Sequence, residues 1–368
     1  MELTLASKTA VIASIDPTGA EESAIDDLDE LALLLSNLDV SVAGRAVQKR
    51  RTPDPSTFIG RGKALELRDF AASVGAGLLV VDDALSPTQR SNLEKTTGLM
   101  VWDRAFTIMR IFERRAITAE AKLQVELARL KYEIPSLKGL GHQMSRLGGG
   151  IGTRGPGETE FERHRRKLER RVKYIEKSLQ GVRKRRDLHR RRRAKDGVRL
   201  VSLVGYTNGG KSTLLRSLTR DESIRAEDRL FSTLDTQTRR VDCPSAGPFL
   251  MSDTVGFIKK LPPELVAAFR STLEEASSAD LLLVVADASS QTPLENFEVV
   301  LETLRDIGAD EIPRFVVLNK IDRVSEELLF VAAGFESRGE DVIRVSALTK
   351  EGLPELVRRI CEKLDESR

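Results

Sequence analysis

Cysteine is almost missing from this chain of 368 residues: only Cys243 and Cys361 occur. A disulfide framework is therefore not expected, and a reducing compartment is the natural setting. Histidine is nearly as scarce, with three residues, and neither cysteine has metal-type spacing, so no zinc site is expected. Long apolar runs are absent too. None approaches the ~18 residues of a membrane-crossing helix, so no membrane span is expected. The first residues, MELTLASKTAVIASIDPTGAEE, show no basic segment leading into an apolar stretch and a cleavage site. No secretion leader is expected, and the location expected is cytoplasmic.

What is present is ordinary in bulk and uneven in distribution. Hydrophobic residues make up 40% and charged residues 31%, and the length suffices for two or three domains. The net charge of +3 hides an asymmetry. Between Arg163 and Lys195 stand 17 Lys or Arg and 3 Asp or Glu, a local balance of +14 that leaves −11 for the rest of the chain. A charge run is usually a solvated helix face. This one contains RKRR at 183–186 and RRRR at 190–193, a density that favours a polyanion, most often nucleic acid. Anionic lipid is the competing partner; the lack of an amphipathic aromatic face or a lipidation site argues against it.

The hydrophobic pattern divides the chain into three parts. Residues 1–115 alternate short apolar runs with helical periodicity: KTAVIASI (8–15), VSVAGRAVQ (40–48) and GLLVVDD (77–83) predict strands. Residues 21–38 and KALELRDFAASV predict helices, and Ser86-Pro87 starts a further one. This is a small α/β domain. Residues 116–196 predict two long helices joined by a glycine-rich loop, an antiparallel hairpin. Leu123, Leu127 and Leu130 form one apolar stripe, and Leu168, Val172, Ile175 and Leu179 the other. Residues 197–368 alternate strand and helix again, as a mostly parallel sheet with helices on both faces requires.

Two glycine-rich loops compete for a nucleotide. GGGIGTRGPGE (148–158) contains G-x-G-x-x-G at Gly150, Gly152 and Gly155. It follows no apolar strand and leads into a basic helix, so the dinucleotide reading fails on context. It reads instead as the tip of the hairpin, with Arg154 facing RNA. GYTNGGKST (205–213) satisfies G-x-x-x-x-G-K-S with an apolar strand before it and a helix after it. Gly205, Asn208, Gly209 and Gly210 would let the backbone curl around phosphate; Lys211 would neutralise the β- and γ-phosphates. Ser212 would ligate Mg²⁺, and Thr213 completes the loop.

Downstream motifs fall at strand ends. In DTVG (253–256), Asp253 can hold the Mg²⁺ shell, and Gly256 can donate its N–H to a γ-phosphate. In NKID (319–322), the Asp322 carboxylate can accept both the N1–H and the 2-amino proton of guanine, which adenine lacks. Asn319 and Lys320 would brace the base, and the loop SAL, with Ser346 and Ala347, would supply an N–H to the guanine O6. This ordered set looks like a P-loop GTPase of the translation-factor and Ras-like class. The loop RLFSTLDTQTRR (229–240) stands where switch I belongs. A threonine there should ligate Mg²⁺; Thr233 is favoured, with Thr238 and Thr236 as alternatives. The glutamine that many GTPases place after DxxG to orient the attacking water is Phe257 here, so slow intrinsic hydrolysis is expected.

With these residues in place, the chain resembles the HflX family of bacterial GTPases over about residues 40–350. The resemblance rests on GYTNGGKSTL, FSTLDTQTRR, DTVGFI, VQKRRTPDPSTFIGRGK, DDALSPTQRSNLEK, KLQVELARLKY and, most diagnostically, SRLGGGIGTRGPGETEFE. Two departures stand out. The usual P-loop alanine is Gly209, and the usual DPTTR is DTQTR, which loses a proline. The resemblance also implies that the C-terminal domain of longer members is missing or minimal. It implies binding to the large ribosomal subunit, ribosome-stimulated GTP hydrolysis with Mg²⁺, and, in some members, splitting of stalled or hibernating ribosomes. The N-terminal domain and the hairpin are then expected to contact ribosomal RNA, with Arg154, Arg165, Arg166 and Arg170 as the candidate contacts. Some members bind ATP through the N-terminal region; no ATP-type motif stands there. A monomer is expected. A GTPase assisting ribosomal RNA remodelling or ribosome assembly is the alternative.

Overall fold

The computed structural model describes residues 8–17, 21–147, 156–222, 230–231, 233–234, 236–243, 247–273, 275–325 and 327–366. The chain divides into two compact units. One comprises Met1–Arg114, Leu123–Ser178 and Pro262–Leu265; the other comprises Arg115–Lys122, Leu179–Leu261 and Val266–Arg368.

In the first unit β1 (Thr9–Asp16), α1 (Glu21–Ser36), β2 (Ser41–Lys49), α2 (Arg61–Ser73), β3 (Leu78–Val81), α3 (Pro87–Thr97), β4 (Met100–Asp103) and α4 (Arg104–Arg115) alternate. The strands form a four-stranded sheet ordered β2-β1-β3-β4, each pair parallel. Crossover helices are the reason: a parallel neighbour cannot be reached by a hairpin turn. Val11, Ala13 and Ile15 of β1 pack on one face against Ala64, Leu67 and Ala71 of α2 and Leu93 of α3. Ser86 caps α3 through a full capping box: its Oγ accepts the Gln89 N–H, and the Gln89 Oε1 accepts the Ser86 N–H. The periodicity did not announce β4, a strand of four residues that runs straight into α4.

At the carboxyl end of this sheet two buried charges are matched internally. Arg104 is 1% exposed and donates to Asp82 at 2.7 Å and to Glu30. Burial opposes its charge, but the two carboxylates outweigh burial and hold the guanidinium above its ordinary value. Asp103 accepts the N–H groups of Leu85 (3.1 Å) and Phe106 (2.7 Å) and the Tyr132 hydroxyl (2.7 Å). Burial pushes its carboxyl up, against the opposing pull of Arg90. The Arg90 guanidinium lies over the rings of Phe106 and Tyr132. Tyr132 belongs to α5 (Ala119–Leu147), so this knot seats the helix on the sheet.

α5 is followed by α6 (Pro156–Lys195). α5 continues past Pro135 despite the hydrogen bond lost there. Leu127 and Leu130 of α5 and Ile175 and Leu179 of α6 are buried, whereas Leu123, Leu168 and Val172 are half-buried. Lys131 pairs with Glu176 at 2.8 Å and Arg186 with Glu120 at 3.0 Å, so the helices run antiparallel. The stretch 148–155, including Arg154, lies outside the described residues.

The chain continues with β5 (Leu200–Gly205), α7 (Lys211–Thr219), β6 (Gln237–Val241), β7 (Phe249–Asp253), α8 (Pro263–Leu273), β8 (Leu281–Asp287), α9 (Pro293–Asp306), β9 (Arg314–Asn319), α10 (Glu327–Glu336), β10 (Val342–Arg344) and α11 (Leu353–Glu366); these strands form a second sheet. The sheet order is β10-β9-β8-β5-β7-β6, parallel except for β6. Strand alternation sends Leu281, Leu283 and Val285 to one face, with Leu214, Leu356 and Ile360, and Leu282, Val284 and Ala286 to the other, with Phe297, Val300 and Phe335. Both faces are covered, which is why LLLVVA (281–286) is continuously apolar rather than alternating.

One expectation is corrected here. Cys243, just after β6, and Cys361 of α11 form a disulfide, with Cα atoms 6.1 Å apart and 118 residues between them in sequence. Both sulfurs lie in the buried cluster on one face of the sheet. Their spacing carried no sign of pairing, because α11 returns to the sheet edge only through the tertiary fold.

Candidate functional site: a phosphate loop facing two switch segments

β5 is the central strand at which the chain order reverses, with β7 on one side and β8 on the other. Crevices form at the carboxyl ends of such switch points. The loop leaving β5 wraps the start of α7. Gly205 has φ +147° and Gly210 φ +91°; a Cβ at these positions would lie 2.3 Å from the Val285 carbonyl oxygen and 2.2 Å from Asn319 Nδ2. Only glycine fits both places. Asn208 also takes a left-handed conformation, φ +61°. A cavity of about 220 Å³ opens here. Asn208, Gly210, Lys211, Ser212 and Thr213 line its floor, and Gly205 and Gly209 lie behind them against β8.

Lys211 is buried and donates to the carbonyls of Gly205 (3.0 Å) and Tyr206 (2.8 Å). Burial pushes its ammonium down to about 8, partly opposed by Asp253. Three oxygens converge beside it: Ser212 Oγ lies 2.6 Å from Thr233 Oγ1 and 2.6 Å from Asp253 Oδ2, and Thr233 Oγ1 lies 2.9 Å from Asp253 Oδ2. Burial raises the Asp253 carboxyl against Lys211 and the two hydroxyls. Its other oxygen, Oδ1, is buried without a hydrogen-bond partner. Hard oxygen donors around a carboxylate with spare capacity fit Mg²⁺, which keeps most of its shell from water and phosphate. Thr238 is instead a ladder residue of β6 opposite Ser252, and Thr236 sits just before that strand.

At the base end, Asn319 ties two loops together. Its Nδ2 donates to the Gly209 carbonyl (2.9 Å), and its Oδ1 accepts the Ala347 N–H (2.9 Å). Lys320 pairs with Asp287 at 2.7 Å. Asp322 accepts the Ser346 hydroxyl at 2.5 Å, and Ser346 Oγ accepts the Thr349 N–H. Asp322 and Ala347 line the cavity while Ser346 is fully buried behind them.

Gly256 lines the cavity beside Lys211. Phe257 turns away from it into the core with Val204, Leu282 and Val284, and is 1% exposed. A side chain so placed offers an attacking water nothing. Sequence reasoning did not single out Thr207, Phe231, Arg216, Arg323 or Leu348, which also line the cavity. Thr207 and Phe231 lie inside the quoted loops, but as variable positions of a pattern they carry no signal of their own.

The expected RNA contacts on α6 are engaged locally: Arg165 pairs with Glu169 (3.4 Å), Arg166 with Glu162 (2.8 Å), and Arg170 donates to the Arg166 carbonyl.

Similarity to known proteins agrees with this geometry. Three family models match in series: the N-terminal region of a GTP-binding GTPase over residues 25–113, its middle region over 115–193, and a 50S ribosome-binding GTPase over 200–320. The GTPase HflX of Caldanaerobacter subterraneus subsp. tengcongensis is 44% identical over 363 residues, covering 99% of this chain and 82% of that protein. The chain belongs to the HflX family. The HflX GTPase of Escherichia coli K12 is 42% identical over 345 residues, 94% of this chain and 80% of its own. The crystal structure of SsGBP in complex with GDP superposes with a TM-score of 0.51 at 25% identity, over 97% of this chain and 98% of that one. As an HflX-family member the chain binds guanine nucleotide and hydrolyses GTP. Among the described residues, no helix is long and apolar enough to cross a membrane.

Proposed function

We propose that this HflX-family GTPase is a nucleotide-dependent switch that binds the large ribosomal subunit and dissociates or rescues stalled or hibernating ribosomes. The observation that carries the reading is the meeting of Thr233 with Ser212 and Asp253. It gives switch I a seat that a γ-phosphate and its ion would complete. The family description of residues 200–320 as a 50S ribosome-binding GTPase and the basic helix α6 supply the partner.

In this mechanism Ser212, Thr233 and Asp253 hold Mg²⁺, which when bound neutralises charge on the β- and γ-phosphates. Lys211 and the loop N–H groups orient the phosphates, and Gly256 donates its N–H to the γ-phosphate. Asp322 selects guanine. With Phe257 buried in the core, no side chain from that position orients water, so the intrinsic rate is slow and rises when the ribosome rearranges the switches. GTP favours the bound state only if the two nucleotide states differ in affinity for the ribosome. Co-sedimentation with large subunits is expected with a non-hydrolysable GTP analogue and not with GDP. Equal pelleting with both would end the switch model, and subunit peaks on a gradient would show splitting.

A further inference from the structure

The second residue of the phosphate loop does more than fill a variable position. Tyr206 carries hydrogen bonds at both ends. Its carbonyl accepts Lys211 Nζ at 2.8 Å and the Gly209 N–H at 3.3 Å. Its hydroxyl, on the far side of a ring packed against the core cluster that holds Phe257, accepts the Lys259 N–H at 2.9 Å. Between these ends the two segments run as a parallel bridge. The Phe257 N–H donates to the Gly205 carbonyl (3.1 Å), and the Thr207 N–H donates to the Phe257 carbonyl (2.8 Å). Gly256 is pressed onto the loop so closely that a Cβ there would meet Thr207 Cα at 2.9 Å and Lys211 Nζ at 3.0 Å.

We infer that Tyr206 is a positioning residue for GTP: its hydroxyl holds the segment after DTVG against the phosphate loop, and so aims the Gly256 N–H at the γ-phosphate. The inference rests on the reading above that Gly256 meets this phosphate. Phe257 anchors the segment from inside the core, and Lys259, two residues on, is fixed from outside by Tyr206 and by its own ion pair with Glu295 (2.9 Å). The segment after DTVG carries no water-orienting glutamine and is held at both Phe257 and Lys259. Nucleotide state is then sensed chiefly by the seating of Thr233 rather than by free motion of residues 256–259.

The test is Tyr206→Phe, which keeps the ring and removes only the hydroxyl, with affinities measured for GDP and for a non-hydrolysable GTP analogue. GDP does not reach Gly256 and serves as the internal control. The preference for the analogue over GDP should fall about three- to tenfold, the worth of one hydrogen bond, with GDP affinity within about twofold of the parent. The Lys259 amide should exchange faster with solvent. A purely structural role would weaken both nucleotides together, or lower thermal stability without changing their ratio; either result overturns the inference. Gly256→Ala separates the two readings. If it lowers analogue preference and Tyr206→Phe does not, the clamp is wrong and the site stands. If neither changes it, the γ-phosphate reading of Gly256 fails first.

Discussion

At the scale of single residues, the site depends on atoms that cannot be exchanged for similar ones. Thr233 contributes one hydroxyl to the cluster with Ser212 and Asp253. Thr233→Val keeps its shape and removes that oxygen. GDP affinity should change little, while single-turnover GTP hydrolysis falls about tenfold or more, since the Thr233 hydroxyl is read as serving the γ-phosphate and its ion, which GDP does not present. Asp322 is the acceptor at the base end. Asp322→Asn turns an acceptor into a mixed donor and acceptor, so guanine nucleotide affinity should drop about a hundredfold or more. Xanthine nucleotides, whose 2-carbonyl suits the new amide, should gain, and competition binding reads both. The phosphate loop was legible because its chemistry is local: a short contiguous run supplies the N–H groups, the lysine and the hydroxyl. Tyr206 was not, because its hydroxyl acts on Lys259, which only the fold brings near.

At the scale of elements, the strands and helices follow from periodicity wherever an element is long and apolar. β5, β8 and β9 are buried on both faces and read as mainly apolar runs, with polar residues only at Ser202 and at the strand ends Asp287, Arg314 and Asn319. β4 escaped because four residues leading directly into α4 leave no turn signal. The seats of these elements were less legible. Nothing in the sequence pattern singles out Arg104; in the fold it is closed in with Asp82 and Glu30. Arg104→Met would leave both carboxylates without it, and should cost about 3–5 kcal/mol of stability in the first unit. Denaturant melting of the whole protein, followed through the single Trp102 of β4, should show the loss. A cost near zero would mean that the pair is replaceable by packing. The α6 stripe behaves similarly: Ile175 and Leu179 are buried, but Leu168 and Val172 only half so. Periodicity marks a face, and neighbours decide how deeply it is covered.

At the scale of the molecule, α6 concentrates positive charge in a chain that is otherwise acidic. If it docks on RNA by phosphate contacts, affinity for large subunits should fall steeply with salt. Replacing the exposed Lys173, Lys177, Lys184 and Arg185 by glutamine should flatten the slope of log affinity against log salt by about three to four, roughly 0.7–0.9 for each of the lost contacts. An unchanged slope would place the contacts elsewhere. The sequence by itself determined what is chemically local: the guanine-nucleotide motifs, the strand–helix alternation of two mostly parallel sheets, and the charge of α6. Each depends on neighbours within a few residues or on a period. Only the tertiary structure decided which distant groups meet. It set Phe257 in the core, Tyr206 over Lys259, Tyr132 on Asp103 and Cys243 against Cys361. Such meetings depend on strand order and helix docking, and the same residue spacing would serve a different order equally well.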